Sequence, residues 1–192
     1  INPYGRTKLT VENFLEHICE THGLNATCLR YFNAAGAHHS GTLGEAHEPE
    51  THLIPNILNR GNYPSENLKV YGDDYDTPDG TCIRDYVHVE DLAQAHLKAL
   101  EFMQVNRGFH TFNLGNGNGF SVLEVIKACE HVLGRRVDYQ FSDRREGDPP
   151  VLIADSAKAI DQLGWSPQHT SLESIIMSAY FWHLNKSEFS LQ

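Results

Sequence analysis

Long apolar runs are missing from this chain: nothing approaches the roughly 18 residues that a membrane-spanning helix needs, and no signal-peptide pattern is visible. Cysteine is sparse too. Cys19, Cys28, Cys82 and Cys129 are scattered with no CxxC pair, which argues against a disulfide framework or a zinc site and favours a reducing cytoplasm. Positive charge is in short supply, with 15 Lys and Arg against 25 Asp and Glu and a formal net charge of -10. The summed field disfavours nucleic acid or an anionic membrane as a partner, while leaving room for a small anion gripped by a few focused arginines. Internal repeats, low-complexity tracts and long flexible linkers are also lacking. What remains is an ordinary globular composition: 192 residues, 40% of them apolar, enough for one large domain or two small ones around a buried core.

The chain reads as alternating helices and strands. Asn2 is placed as an N-cap, with Pro3 at the first helical position, where its missing N–H costs nothing. Val11, Phe14, Leu15 and Ile18 recur at helical spacing up to Gly23, a natural stop. "NATCLRYFN" (25 to 33) is a short run rich in strand formers, followed by a loop dense in Gly, His and Glu. "HLIPNIL" predicts a short helix, "LKVYG" a strand, and the stretch 82 to 103 a strand, a turn and a helix with Leu92, Ala95, His96, Ala99 and Leu100 on one face. "FHTFNLGNG" predicts a strand ending in glycines, and "SVLE" (121 to 124) a capping box that opens a helix through Leu133, stopped by Gly134. "VDYQFS" predicts a further strand, and two helical pieces close the chain. This alternation argues an α/β fold with a mixed or largely parallel sheet.

Two patterns bear on chemistry. Tyr4 and Lys8, in "NPYGRTK", are four residues apart and share one helix face. An ammonium fixed beside a phenol favours the phenolate, which suits proton transfer to or from a hydroxyl; the same spacing also arises by accident on an exposed helix. "HHSGTLGEAHEPETH" (38 to 52) is rich in metal-type ligands, but His47, Glu48 and His52 do not form HExxH, and Pro49 would break a helix carrying two histidines on one face. No metal is expected there.

The ensemble "NPYGRTK", "LRYFNAAGAH", "HLIPNIL", "DGTCIRDYVHVEDLAQAH", "FNLGNG" and "RREGD", in this order and spacing, strongly resembles the UDP-glucose 4-epimerase family of the extended short-chain dehydrogenase/reductases, from residue 2 to about residue 183. In that family a Gly-rich GxxGxxG turn, which cradles the cofactor pyrophosphate, precedes the tyrosine. None precedes Tyr4, and "LGNGNGFS" (114 to 121) has the wrong spacing. The resemblance therefore implies the carboxyl-terminal part of such an enzyme. It implies a remnant of a Rossmann-type NAD-binding domain (1–35) plus a smaller α/β UDP-sugar-binding domain (36–192), with 82–103 packing back on the first. A chain of this kind on its own is expected to be inactive and prone to association.

The resemblance also implies roles. The 4-hydroxyl of UDP-glucose or UDP-galactose is oxidised, hydride passing to NAD, and the 4-keto sugar turns over and is reduced on its other face. Tyr4 acts as base and then acid, Lys8 holds the nicotinamide ribose, and a further Ser or Thr contact lies upstream. Tyr31 and Phe32 line the nicotinamide and sugar pocket, and Asn33, His52 and Leu53 meet the diphosphate or sugar. Tyr71 backs the uracil, Arg84 and Arg145 fork onto the diphosphate, and Asp148 accepts the uridine ribose hydroxyls. His52 stands where many members carry asparagine, which brings a pH-dependent charge to that contact. Leu152 occupies a position that is bulky where plain hexoses alone fit, implying preference for UDP-glucose and UDP-galactose over N-acetyl sugars. Members commonly form homodimers through the tyrosine helix and its preceding neighbour. Plainer readings stay open for each residue: Arg84 paired with Asp85, Arg144 and Arg145 as a solvated turn, Asn33 as a loop cap, and Tyr31, Phe32 and Tyr71 as core. A UDP-hexosamine or UDP-pentose 4-epimerase, and a non-catalytic nucleotide-sugar-binding module, are the alternatives.

Overall fold

The computed structural model describes residues 3–59 and 68–189. The expected N-cap Asn2 lies outside them. The chain runs α1 (Pro3–His22), β1 (Ala26–Tyr31), β2 (Asn33–Ala35), α2 (Leu53–Asn59), β3 (Leu68–Tyr71), β4 (Ile83–His88), α3 (Val89–Val105), β5 (Phe109–Leu114), β6 (Gly119–Ser121), α4 (Val122–Leu133), β7 (Tyr139–Ser142), β8 (Val151–Leu152), α5 (Ala157–Leu163) and α6 (Leu172–Phe189). The α/β class and the main elements stand as expected. Among the described residues no helix is long and apolar enough to cross a membrane.

The run 25 to 33 is not one strand. It breaks at Phe32 into β1, parallel to β5, and β2, parallel to β4. The chain thereby crosses from one sheet to another at this point, and the Phe32 N–H still donates to the Leu114 carbonyl at 3.3 Å. β4 is the hub: its second half pairs with β2, while its first half pairs antiparallel with β6 and parallel with β8. A third small sheet joins β3 and β7 in parallel. β6 and β8, only three and two residues long, were not legible in the sequence.

Two cores result. One lies among α2, α4, α6, β3 and β4, where Ile57, Val70, Tyr86, Val125, Ile175 and Ile176 are buried. The other joins β5, α3 and α5 through Val87, Leu92, Ala95, Phe112, Leu163 and Trp165, with Leu29 of β1 against it. Complete burial of one such aliphatic side chain contributes about 1.5–3 kcal/mol. Of the five residues expected on one face of α3, Leu92, Ala95 and Ala99 are buried, whereas His96 and Leu100 are exposed. The buried stripe follows i, i+3, i+7, and both exposed residues lie one step beyond its edge. The expected turn before α3 is missing too: His88 ends β4 and caps α3 directly, its Nδ1 accepting the Glu90 N–H at 3.1 Å.

Helix α4 opens on the expected capping box and ends at Gly134, whose φ of +65° is left-handed. Helix α1 is less covered than its apolar pattern suggested. Cys19 is buried, but Val11 and Phe14 are 53% and 62% exposed, and Leu9 and Tyr4 stand out beside them.

Candidate active site

A cavity of about 1400 Å³ opens between α1, the β1–β2 crossover, the segment leading into α2, β3, β4 and the 143–148 turn. Its wall includes Tyr4, Tyr31, Phe32, Asn33, His52, Leu53, Tyr71, Arg84, Arg145 and Asp148, ten of the twelve residues singled out from sequence, drawn from positions 4 to 148. The other two are Lys8 and Leu152. Lys8 sits one helical turn behind Tyr4, its Nζ 5.3 Å from the phenol ring centroid. Leu152, in register with Arg84 on the neighbouring strand, is not a wall residue and is half-exposed.

Three tyrosines compare instructively. Burial raises the Tyr86 phenol well above its ordinary range, and burial, followed by contact with Cys82, pushes Tyr75 up to about 12. Neither suits proton abstraction near neutrality. Tyr4 is 72% exposed at the cavity, with an ammonium beside it.

The arginines are held apart by different partners. The Arg145 guanidinium lies 4.0 Å from the Tyr71 ring centroid, and the Arg144 guanidinium 4.3 Å from that of Tyr75. Arg144 also donates to Asp74 at 2.6 Å, so it belongs to a surface pair, whereas Arg145 and Tyr71 form a flat platform in the cavity wall. Arg84 does not pair with Asp85. Its Nη2 donates to Asp148 at 2.8 Å and its Nη1 to the Ile83 carbonyl at 2.7 Å, which uses two of its N–H donors among the described residues. With its side chain 12% exposed, Arg84 is a fixed cation in the wall.

Asp85 has a structural task. Fully buried, it accepts backbone N–H bonds from Asn116 at 2.8 Å, Gly117 at 3.0 Å and Ala154 at 3.1 Å. A Cβ at Gly115 would come within 2.5 Å of its Oδ2, so a glycine is required there. The amides of the Gly-rich loop thus cradle a carboxylate of the chain itself, which is why "LGNGNGFS" is not a phosphate-binding turn.

His52 is engaged with Glu45 and Glu50 at 2.6 and 2.9 Å, and His47 with Glu45 at 2.8 Å. The four side chains converge although Pro49 rules out a helix here, because an extended loop brings them together instead. A search for two histidines on one helix face could not detect this; the alternation of Glu and His through 45–52 was the available signal. Glu90, at the foot of α3, collects His38, His39 and His169 around its carboxylate. Burial alone would raise it, but the His39 N–H and ring outweigh that and hold it down at about 2.

The nicotinamide end of a dinucleotide matches the donors present: the Tyr4 hydroxyl and Lys8 ammonium on one helix face, with the half-exposed ring of Tyr31 in the same wall. Comparison with known proteins gives the family. Residues 1–115 match the model of the NAD dependent epimerase/dehydratase family. The chain is 50% identical over 182 residues to the UDP-glucose 4-epimerase of Halalkalibacterium halodurans, covering 95% of this chain and 54% of that protein. It is 47% identical to the UDP-glucose 4-epimerase of Streptococcus mutans, covering 95% and 55%. Among solved structures, the UDP-glucose-4-epimerase from Stenotrophomonas maltophila with bound NAD and formylated UDP-arabinopyranose superimposes with a TM-score of 0.90 at 42% identity, covering 98% of this chain and 56% of that one. The enzyme from Bifidobacterium longum in complex with NAD+ and UDP gives 0.90 at 39%, covering 97% and 56%. The chain spans about half the length of the curated relatives it matches. A family match over more than half of these residues, on a fold whose cavity gathers the tyrosine and the arginines, makes this chain a member of the NAD dependent epimerase/dehydratase family.

Proposed function

We propose that these residues form the catalytic helix and UDP-sugar site of a UDP-glucose 4-epimerase that interconverts UDP-glucose and UDP-galactose. The observation that carries it is the convergence on one cavity of ten of the residues that the resemblance implies. Tyr4, as the phenolate, takes the proton of the sugar 4-hydroxyl and later restores it, and Lys8 stabilises the phenolate before the first event and after the second. Tyr4, Lys8 and Tyr31 would hold the nicotinamide end of NAD, which when bound supplies hydride acceptance and return at the sugar carbon. Arg84 and Arg145 grip the diphosphate, with Tyr71 behind Arg145 and Asp148 on the ribose side; Phe32, Asn33, His52 and Leu53 border the sugar. A sugar that must present both faces cannot itself be clamped, so binding energy belongs on the uridine diphosphate, where the two arginines are. Leu152 lies outside the cavity wall, so the preference for plain hexoses over N-acetyl sugars rests on the resemblance alone.

The division into 1–35 and 36–192, with 82–103 returning to the first part, is supported by the packing of α3 against β1. β5 and α5 share that core and are best grouped with it. The exposed apolar residues of α1 support a homodimer through that helix, and the four free cysteines support a reducing cytoplasm. Titrating the chain with UDP by calorimetry tests the site. One molecule should bind, and Arg145→Met should weaken binding about 10–100-fold, the cost of one lost charge-assisted contact. Equal affinity in the variant, or no UDP binding, would overturn the assignment.

A further inference from the structure

We propose that Glu45, His47, Glu50 and His52 form a binding site for one divalent transition cation of the zinc class. The four lie on the loop between β2 and α2, and one ligand atom from each lies within 4.8 Å of all the others. His52 Nδ1 faces Glu45 Oε1 at 2.6 Å and Glu50 Oε1 at 2.9 Å, while His47 Nδ1 faces Glu45 Oε1 at 2.8 Å. A neutral imidazole carries a single N–H, so Nδ1 of His52 cannot donate along both directions. The cluster therefore presents more acceptors than protons, and a cation bound to the Nδ1 lone pairs resolves this with both rings as neutral Nε2–H tautomers. Two carboxylates and a divalent ion sum to zero charge.

The scaffold is already fixed. Glu50 Oε1 accepts the backbone N–H groups of Thr51 and His52, both at 2.8 Å, and the Glu50 side chain is only 9% exposed. The Glu45 carbonyl accepts the Trp182 indole N–H at 2.9 Å, which ties the loop to α6. Bonds of ~2.0–2.1 Å in a tetrahedral shell put ligand atoms roughly 3.3–3.5 Å apart, so the close pairs open by about half an ångström and the widest pair closes. Two imidazoles with two carboxylates suit zinc or cobalt, whereas magnesium and calcium take shells of oxygen. A cation here would pin the part of the cavity wall that includes His52, the residue that the proposed function also places at the sugar.

Co²⁺ titration of the chain, followed by its visible absorption and by displacement with Zn²⁺, is the test. One equivalent should bind with a tetrahedral spectrum. His47→Gln and Glu45→Gln should each weaken binding by at least about tenfold, on the order of what disturbing a metal shell costs. His39→Gln should leave it unchanged, since His39 belongs to the Glu90 cluster. His47 is 59% exposed at its side chain, so its replacement leaves the fold intact, which circular dichroism checks. No Co²⁺ spectrum, full affinity in both cluster variants, or loss in the His39 variant would overturn the proposal.

Discussion

Replacing Asp85 with asparagine preserves the side-chain shape and removes one of its two acceptor oxygens. In the structure Oδ1 accepts from Asn116, and Oδ2 from both Gly117 and Ala154, in a place with no exposure to water. The amide oxygen of asparagine can serve the latter pair, but its NH₂ then faces the Asn116 N–H, donor against donor. One charge-assisted bond is lost, one buried N–H is orphaned, and the remaining two bonds lose their charge. Together these cost about 2–4 kcal/mol. For a chain of this size that corresponds to a melting temperature lower by about 4–15 °C. Urea denaturation followed by circular dichroism reads the change as a lower midpoint at unchanged slope. A loss below about 0.5 kcal/mol, the scatter of surface substitutions, would refute the view that this carboxylate ties β4 to the 115–117 loop and to Ala154, two residues past β8.

Glu90 titrates at about 2, below its ordinary 4.5, so its contribution to stability is complete above the ordinary value and disappears as pH falls from there through about 2. Glu90→Gln should flatten this part of the acid unfolding profile; an unchanged profile would contradict the role of its histidine partners. Gly36→Ala should destabilise by about 1–3 kcal/mol, because a φ of +85° disfavours any side chain and its Cβ would lie 2.5 Å from His88 Cδ2. A melting temperature equal to wild type would show that this approach is not as close as the structure has it.

Local signals were the legible ones. Capping at Ser121 and the stop at Gly134 need only neighbouring residues, and the sequence states them openly. The break at Phe32 was not legible, because which sheet a strand joins depends on β4 and β5, more than fifty residues away. The same holds for β6 and β8, whose two or three residues are strands only because Ile83–Asp85 pairs with them. Of the site, the residue types were readable from the ensemble of motifs, but partner choice was not. Arg84 turns to Asp148 rather than to the adjacent Asp85 because consecutive residues of a strand point to opposite faces, and Asp85 points inward. His96 and Leu100 were misassigned for a related reason: a helical pattern gives a direction but not the width of the face that its neighbours cover.

The central claim concerns the phenol of Tyr4. In an NAD-loaded protein carrying these residues, Tyr4→Phe should lower kcat for interconversion of UDP-galactose and UDP-glucose by about 10²–10⁴-fold, the usual worth of a positioned acid-base group, with UDP affinity retained. Turnover at the wild-type rate in that variant would contradict the account.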